Sequence, residues 1–145
     1  MDSINRLSVL AATVICAACS TPTTPASNIE VSVPATTFER VGTLPVANIP
    51  FTVTNQASTS VFLARCGGRV MATVDKLTGD TWTQYSGDAC TATQSQALFE
   101  LPPGSSVDAV RAVPDAGKFR LRIVTGPAYN TPNLWSITSE DFEIR

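Results

Sequence analysis

Short runs in which apolar and polar residues alternate, beginning at Ile29, restrict the fold of this chain more than any other feature. In IEVSV every second side chain is apolar, and IPFTVTN repeats the pattern with Ile49, Phe51 and Val53. Successive side chains of a β-strand point to opposite faces, so this period of two predicts strands with one buried face and one polar face.

Similar runs continue to the last residue. They are SVFLAR (60–65), RVMATV (69–74), TWTQY (81–85), ALFEL (97–101), SVDAVRAV (106–113), FRLRIV (119–124) and DFEIR (141–145). Turn signals such as CGG, LTGD, PPGSS and PDAG separate them, and no stretch has a helical period. Only 15% of the residues are charged, which suits an exported β protein. We predict an all-β fold over residues 29–145, an antiparallel immunoglobulin-like β-sandwich of seven to nine short strands, with a closed barrel as the alternative.

Individual residues within these runs predict local structure. Pro50 restricts its run to a strand start or a sheet edge, because proline has no N–H to donate. Asn55 is expected to form a turn through hydrogen bonds from its side chain to the backbone. Gly104, in PPGSS, is expected at a turn position that needs a positive φ.

One run predicts a basic stripe on the sheet surface. Lys118, Arg120 and Arg122 alternate with apolar residues, so they share one face of their strand. Such a stripe is either an ordinary solvated face or a contact for an anionic partner.

Residues 1–18 have the order of a secretory signal. A polar head containing Arg6 precedes an apolar run over residues 7–18 that ends in small side chains. The run is too short to cross a membrane as a mature helix. A buried N-terminal helix is the alternative, but no polar face recurs at helical spacing. Residues 19–28 are rich in Pro, Ser and Thr and predict a tether.

The end of this segment, CAAC followed by Ser20, resembles a bacterial lipoprotein signal. The resemblance implies that Cys19 is lipidated and becomes the new N-terminus, with Ala17 and Ala18 at the small positions. Cys16 departs from the pattern, since such signals usually carry an aliphatic residue there. The resemblance thus implies a protein anchored to a bacterial membrane. At the position after the lipidated Cys, Ser20 resembles lipoproteins that are sorted to an outer membrane. Two acyl chains suffice for stable membrane residence. Ordinary cleavage near Ala18 is the alternative.

Two cysteines, Cys66 and Cys90, remain after the signal. Thiols of an exported chain usually pair, so we expect a disulfide that staples the turn after VFLAR to the loop after TWTQYSGD. A metal site is not expected, because the chain has no His and these two Cys with Met71 offer at best a soft copper(I) site.

The run from Pro50 to Val124 is similar to small extracytoplasmic immunoglobulin-like domains related to the intracellular proteinase inhibitor of Bacillus. The shared features are FTVTNQASTSVFL, TWTQYS, LPPGSS and AGKFRLRI. The cysteine pair and the C-terminal segment GPAYNTPNLWSITSEDFEIR do not map onto that family. The resemblance therefore implies a fold, and no inhibitory residue is carried over.

The residues favour a binding or structural module over an enzyme. No His is available as a base, and neither Lys76 nor Lys118 lies in a Ser-x-x-Lys arrangement. Ten basic and twelve acidic side chains are too balanced for a nucleic-acid partner. No phosphate-binding loop occurs, so we expect no cofactor.

The expected partner is an envelope or extracellular protein, bound through loops or an exposed strand edge. In YNTPNLW, Tyr129 and Trp135 are the candidate contacts, since aromatic side chains anchor interfaces. Burial of Trp135 in the core is the alternative. The second candidate function is a proteinase inhibitor that inserts LPPGSS or GPAYNTP into a cleft.

Overall fold

The fold is known from a computed structural model that describes residues 28–42, 45–87, 90, 96–127 and 134–145. The signal segment 1–18, the lipidation candidate Cys19, the tether up to residue 27 and the candidate contact Tyr129 lie outside the described residues. Asn28, which the sequence placed in the tether, accepts a hydrogen bond from the backbone N–H of Gln56 (2.7 Å).

The described residues form twelve strands. These are β1 (Ile29–Ser32), β2 (Thr37–Phe38), β3 (Ala47–Asn55), β4 (Val61–Cys66), β5 (Arg69–Val70), β6 (Thr73–Thr78), β7 (Thr81–Ser86), β8 (Gln96–Leu101), β9 (Ser106–Val113), β10 (Gly117–Gly126), β11 (Trp135–Thr138) and β12 (Phe142–Ile144).

The strands form two sheets. One has three strands in the order β1-β3-β9, and the other contains β2-β12-β10-β4-β5 together with β6, β7, β8 and β11. The ten-residue β10 organises the second sheet, since it pairs with β11, β12, β4 and β6. All pairings are antiparallel except that of β12 with β2. The fold is an antiparallel immunoglobulin-like β-sandwich, as the alternating runs predicted.

The core lies between the two sheets and is built by the predicted alternation. On β3 the side chains of Ile49, Phe51 and Val53 are at most 2% exposed. On β10 Phe119 and Leu121 are fully buried and meet them from the opposite sheet within one apolar cluster. Burying each such side chain contributes roughly 1.5–3 kcal/mol to folding.

Pro50 lies inside β3, at a point where β3 has a neighbouring strand on one side only. The backbone N–H of Asn55 donates to the carbonyl of Ser105 (2.9 Å), and antiparallel hydrogen-bonded pairs recur at every second residue. The nitrogen of Pro50 therefore points away from β9, toward a side where β1 has already ended at Ser32. The missing N–H therefore removes no ladder bond, although β3 is the central strand of its sheet and not the edge strand that the sequence predicted.

The strand count exceeds the predicted seven to nine because some runs are broken and two strands were not predicted. RVMATV becomes β5 and β6, since the chain turns through Gly67 and Gly68 at positive φ and pairs back on β4 before joining β10. β2 has only two residues, and β11 begins in a segment that the sequence assigned to a loop.

The predicted disulfide is present. Cys66 ends β4 and is bonded to Cys90, 24 residues later, with the two Cα atoms 5.5 Å apart. By restricting the unfolded chain, a disulfide that closes a loop of this length stabilises the fold by about 3 kcal/mol. The disulfide thus fixes the segment after β7 to the end of β4.

Candidate functional site

Asn55 organises the loops at one end of the sandwich. Its side chain is fully buried, and Nδ2 donates to the carbonyls of Thr59 and Leu101, both at 2.9 Å. Its Oδ1 accepts from the backbone N–H of Ala57 at 3.0 Å. The predicted turn at Asn55 is therefore confirmed, and the same side chain also holds the end of β8.

The PPGSS turn is fixed to the backbone of the same residue. The carbonyl of Asn55 accepts from the N–H of Gly104 at 2.7 Å. Gly104 has φ of 70°, the left-handed region that favours glycine, as predicted. Pro102 and Pro103 are exposed on this hydrogen-bonded turn.

A groove of about 580 Å³, the Trp135 groove, opens beside these loops. Its walls are Asn28 and Ile29 at the start of β1, residues 57–61, and the pair Leu134 and Trp135 with Pro127. The lining combines apolar side chains with the hydroxyls of the 58–60 loop. We call this end of the sandwich the Asn28 end, because the described chain begins there.

Trp135 lies in a strand, so of the two alternatives for this residue the structure favours burial over exposure in a loop. It is the first residue of β11, pairs with Thr125, is half-buried, and packs against the core. Its Nε1 is buried and has no hydrogen-bond acceptor among the described residues. Leu134 beside it is 59% exposed. Trp135 therefore supports the groove wall, while Leu134 is the more accessible contact.

The basic stripe on β10 is balanced by a buried carboxylate. Asp75 on β6 is 4% exposed and lies directly opposite Arg120 in the strand register. Its carboxylate accepts from Nε of Arg120 (3.4 Å) and from Nε and Nη2 of Arg122 (3.2 and 3.1 Å). Arg122 also donates to Gln84 (3.1 Å), and the guanidinium of Arg120 lies 4.5 Å from the ring centre of Trp82. The two arginines are therefore engaged within the sheet.

The third cation of the stripe, Lys118, forms an ion pair with Asp141. The hydrogen bond from Lys118 is the largest cause that lowers the pKa of Asp141 below its usual value. Nearby, Arg145 likewise lowers the pKa of Glu143. The sequence correctly predicted that the three cations share a face, but it missed Asp75. The strand itself gave little signal, because β6 (TVDKLT) contains Lys76 and two threonines beside Asp75.

Two general features of the described residues bear on the chemistry of the site. Within the described ranges, no group of three or more His, Cys, Asp or Glu side chains is placed to hold a metal ion. Those ranges also contain no helix that is long and apolar enough to cross a membrane.

No protein-family model matches the chain, and no curated protein matches its sequence. Among solved structures, the PapD-like domain 7 of human CEP192 aligns over 97% of this chain and 96% of its own, with 12% identity and a TM-score of 0.44. The Pseudomonas fluorescens alkylpurine DNA glycosylase AlkC covers 81% of this chain with 12% identity and a TM-score of 0.37. A Listeria innocua β-glucosidase covers 80% with 8% identity and a TM-score of 0.34.

This chain spans 30% of the glycosylase and 16% of the β-glucosidase. At these TM-scores the similarities indicate no function for this chain.

Proposed function

We propose that this protein is an exported, lipid-anchored envelope protein whose β-sandwich is a non-enzymatic binding module. Cys19 carries the lipid, residues 20–27 form the tether, and the Trp135 groove binds a protein partner of the envelope or the cell exterior. The observation that carries the binding role is the groove itself, which is built on loops clamped by Asn55.

The anchor is supported by the N-terminal residues. A polar head, a short apolar run and the sequence CAAC-Ser precede a segment rich in Pro and Thr. The domain that follows is closed by a disulfide, which is typical of proteins outside the reducing cytoplasm.

The groove is supported as a binding surface by its rigidity and its exposed contacts. Binding to a preformed surface requires less ordering of loops, and Asn55 already fixes two of the loops at this end. Leu134 is an exposed apolar residue on the rim, beside the half-buried aromatic ring of Trp135. This combination of an apolar contact and neighbouring hydroxyls is suited to a protein partner.

The anchor is tested by substituting the two cysteines of the signal separately. We expect Cys19→Ala to abolish labelling by a fatty-acid analogue and to block cleavage of the signal segment. The matched control Cys16→Ala keeps the label, because Cys16 lies in the removed segment. Equal labelling of the Cys19→Ala and unsubstituted proteins would contradict the anchor.

The groove is tested by a photo-reactive amino acid introduced at Leu134 in living cells. We expect a cross-linked partner from Leu134 and none from the matched site Val41, which is 70% exposed and lies outside the groove. The same cross-linked species from both sites, or none from Leu134, would contradict binding at the groove.

The second candidate is a proteinase inhibitor, favoured by one observation. The turn that contains Pro102, Pro103 and Gly104 is exposed and held rigidly by Asn55, and rigid loops bind clefts with little loss of entropy. Inhibition assays of the mature protein against secreted serine and cysteine proteases test this candidate. Absence of inhibition at micromolar concentration would exclude it.

A further inference from the structure

We propose that the outer edge of β9 is a dimerisation surface, on which a second copy of this chain adds its own β9 in antiparallel orientation. The two three-stranded sheets would join into one continuous sheet across a two-fold axis. This inference goes beyond the proposed function, since it concerns a different edge of the sandwich and does not require the lipid anchor.

The edge of β9 is long and regular. β9 pairs with β3 over all eight of its residues without a register shift, and no other described strand pairs with it. The strand contains no proline and no bulge, two of the features that commonly protect sheet edges, and its charged side chains are limited to Asp108 and Arg111. A long edge of this kind presents a row of backbone donors and acceptors to another strand.

The direction of these backbone groups follows from the hydrogen bonding to β3. The carbonyl of Ser105 accepts from Asn55, so the odd-numbered residues of β9 bond to β3. The N–H and C=O groups of the even-numbered residues Asp108, Val110 and Ala112 therefore point outward. The side chains of these residues also lie on the exposed face of the sheet.

The sequence of β9 is complementary to itself. In an antiparallel pair centred on Val110, each Val110 faces its own copy, and each Asp108 faces Ala112. No like charges are opposed, and the side chain of Val110, which is 57% exposed, gains an apolar partner. A two-fold interface needs this kind of self-complementarity.

The size of the contact sets the strength of the dimer. About six backbone hydrogen bonds form between the two strands in this register. Such a small contact gives weak association in dilute solution, so the dimer is best detected by covalent trapping.

Disulfide trapping tests the register directly. Val110→Cys is introduced into the full chain carrying Cys16→Ala and Cys19→Ala, so that Cys66 and Cys90 remain paired and only the new thiol is free. Opposed residues of a hydrogen-bonded antiparallel pair have Cα atoms about 5.5 Å apart, within the range for a disulfide. We expect at least a tenfold larger fraction of covalent dimer on mild oxidation than for the control Val41→Cys.

A second substitution tests whether the strand edge is responsible. Ala112→Pro removes an outward N–H and leaves the bonds to β3 intact, as Pro50 does on the neighbouring strand. We expect it to reduce trapping of Val110→Cys at least fivefold, with an unchanged thermal transition. Equal trapping of Val110→Cys and Val41→Cys, insensitivity to Ala112→Pro, or a cross-link only to a different protein would overturn the proposal. Because both signal cysteines are substituted, a failure of the lipid anchor does not affect this result.

Discussion

Asn55 is the residue on which most of the loop geometry at the Asn28 end depends. Its side chain makes three hydrogen bonds in a site without solvent access. Loss of this amide leaves buried backbone groups without partners, which is more damaging than loss of an exposed hydrogen bond. We predict that Asn55→Ala lowers the free energy of unfolding by about 3 kcal/mol.

Urea denaturation checks this prediction, with Asn48→Ala on the same strand as the control. Asn48 is exposed, so its substitution is expected to change stability by less than about 0.5 kcal/mol. Equal stability of the two variants would show that water replaces the bonds of Asn55.

A pH dependence follows from the exposed pair of Lys118 and Asp141. The hydrogen bond from Lys118 lowers the pKa of Asp141 in the folded protein relative to the unfolded chain. The pair therefore stabilises the fold above the unfolded pKa, and this contribution is lost as the pH falls through the folded pKa. We predict that Asp141→Asn lowers stability near neutral pH by less than about 1 kcal/mol, because exposed ion pairs are weak. Denaturation curves of both proteins should converge in acid, and an undiminished difference there would contradict an electrostatic origin.

At the scale of single residues, the sequence predicted roles that depend on neighbouring positions. The turn at Asn55 and the positive φ of Gly104 follow from local chemistry, and both were found. The partner of the basic stripe was missed, because Asp75 and Arg120 meet only through the register of two strands 45 residues apart.

β11 is the element whose role differs most from the sequence expectation. Its first residue, Trp135, supports the groove wall, and within the described ranges its indole N–H is buried without an acceptor. A buried donor without a partner is unfavourable, and an apolar replacement relieves it. We predict that Trp135→Phe changes the free energy of unfolding by less than about 1 kcal/mol, whereas Trp135→Ala lowers it by about 2–4 kcal/mol.

Thermal or urea denaturation of the two variants checks this prediction. A loss for Trp135→Phe as large as that for Trp135→Ala would show that the indole N–H, and not the ring volume, stabilises the strand.

At the scale of elements, the long alternating runs gave the clearest predictions. β3, β9 and β10 have eight to ten residues each, and their runs were recognised. β2 has only two residues, too few to show a period, and β11 was missed because its four residues directly follow the segment that was assigned to a loop. Their pairing is set by the long strand β10 and by β12, contacts that no local pattern contains.

At the scale of the whole molecule, the sandwich and its disulfide follow from the sequence, because both depend on patterns that recur along the chain or on the pairing of two thiols. The groove could not be predicted, since its walls come from four separate segments brought together by the fold. Asn28 lines the groove and directly follows the proposed tether. The groove would therefore lie at the anchored end of the domain.

The central claim, a lipid-anchored and disulfide-closed sandwich, is tested most directly by the intact mass of the protein from the membrane fraction. We predict the mass of a chain that begins at Cys19 and carries a diacylglyceryl group, increased by two hydrogen atoms on reduction of the Cys66–Cys90 bond. A soluble chain without lipid, beginning at or after Cys19, would contradict the anchor and move the search for a partner to the secreted fraction.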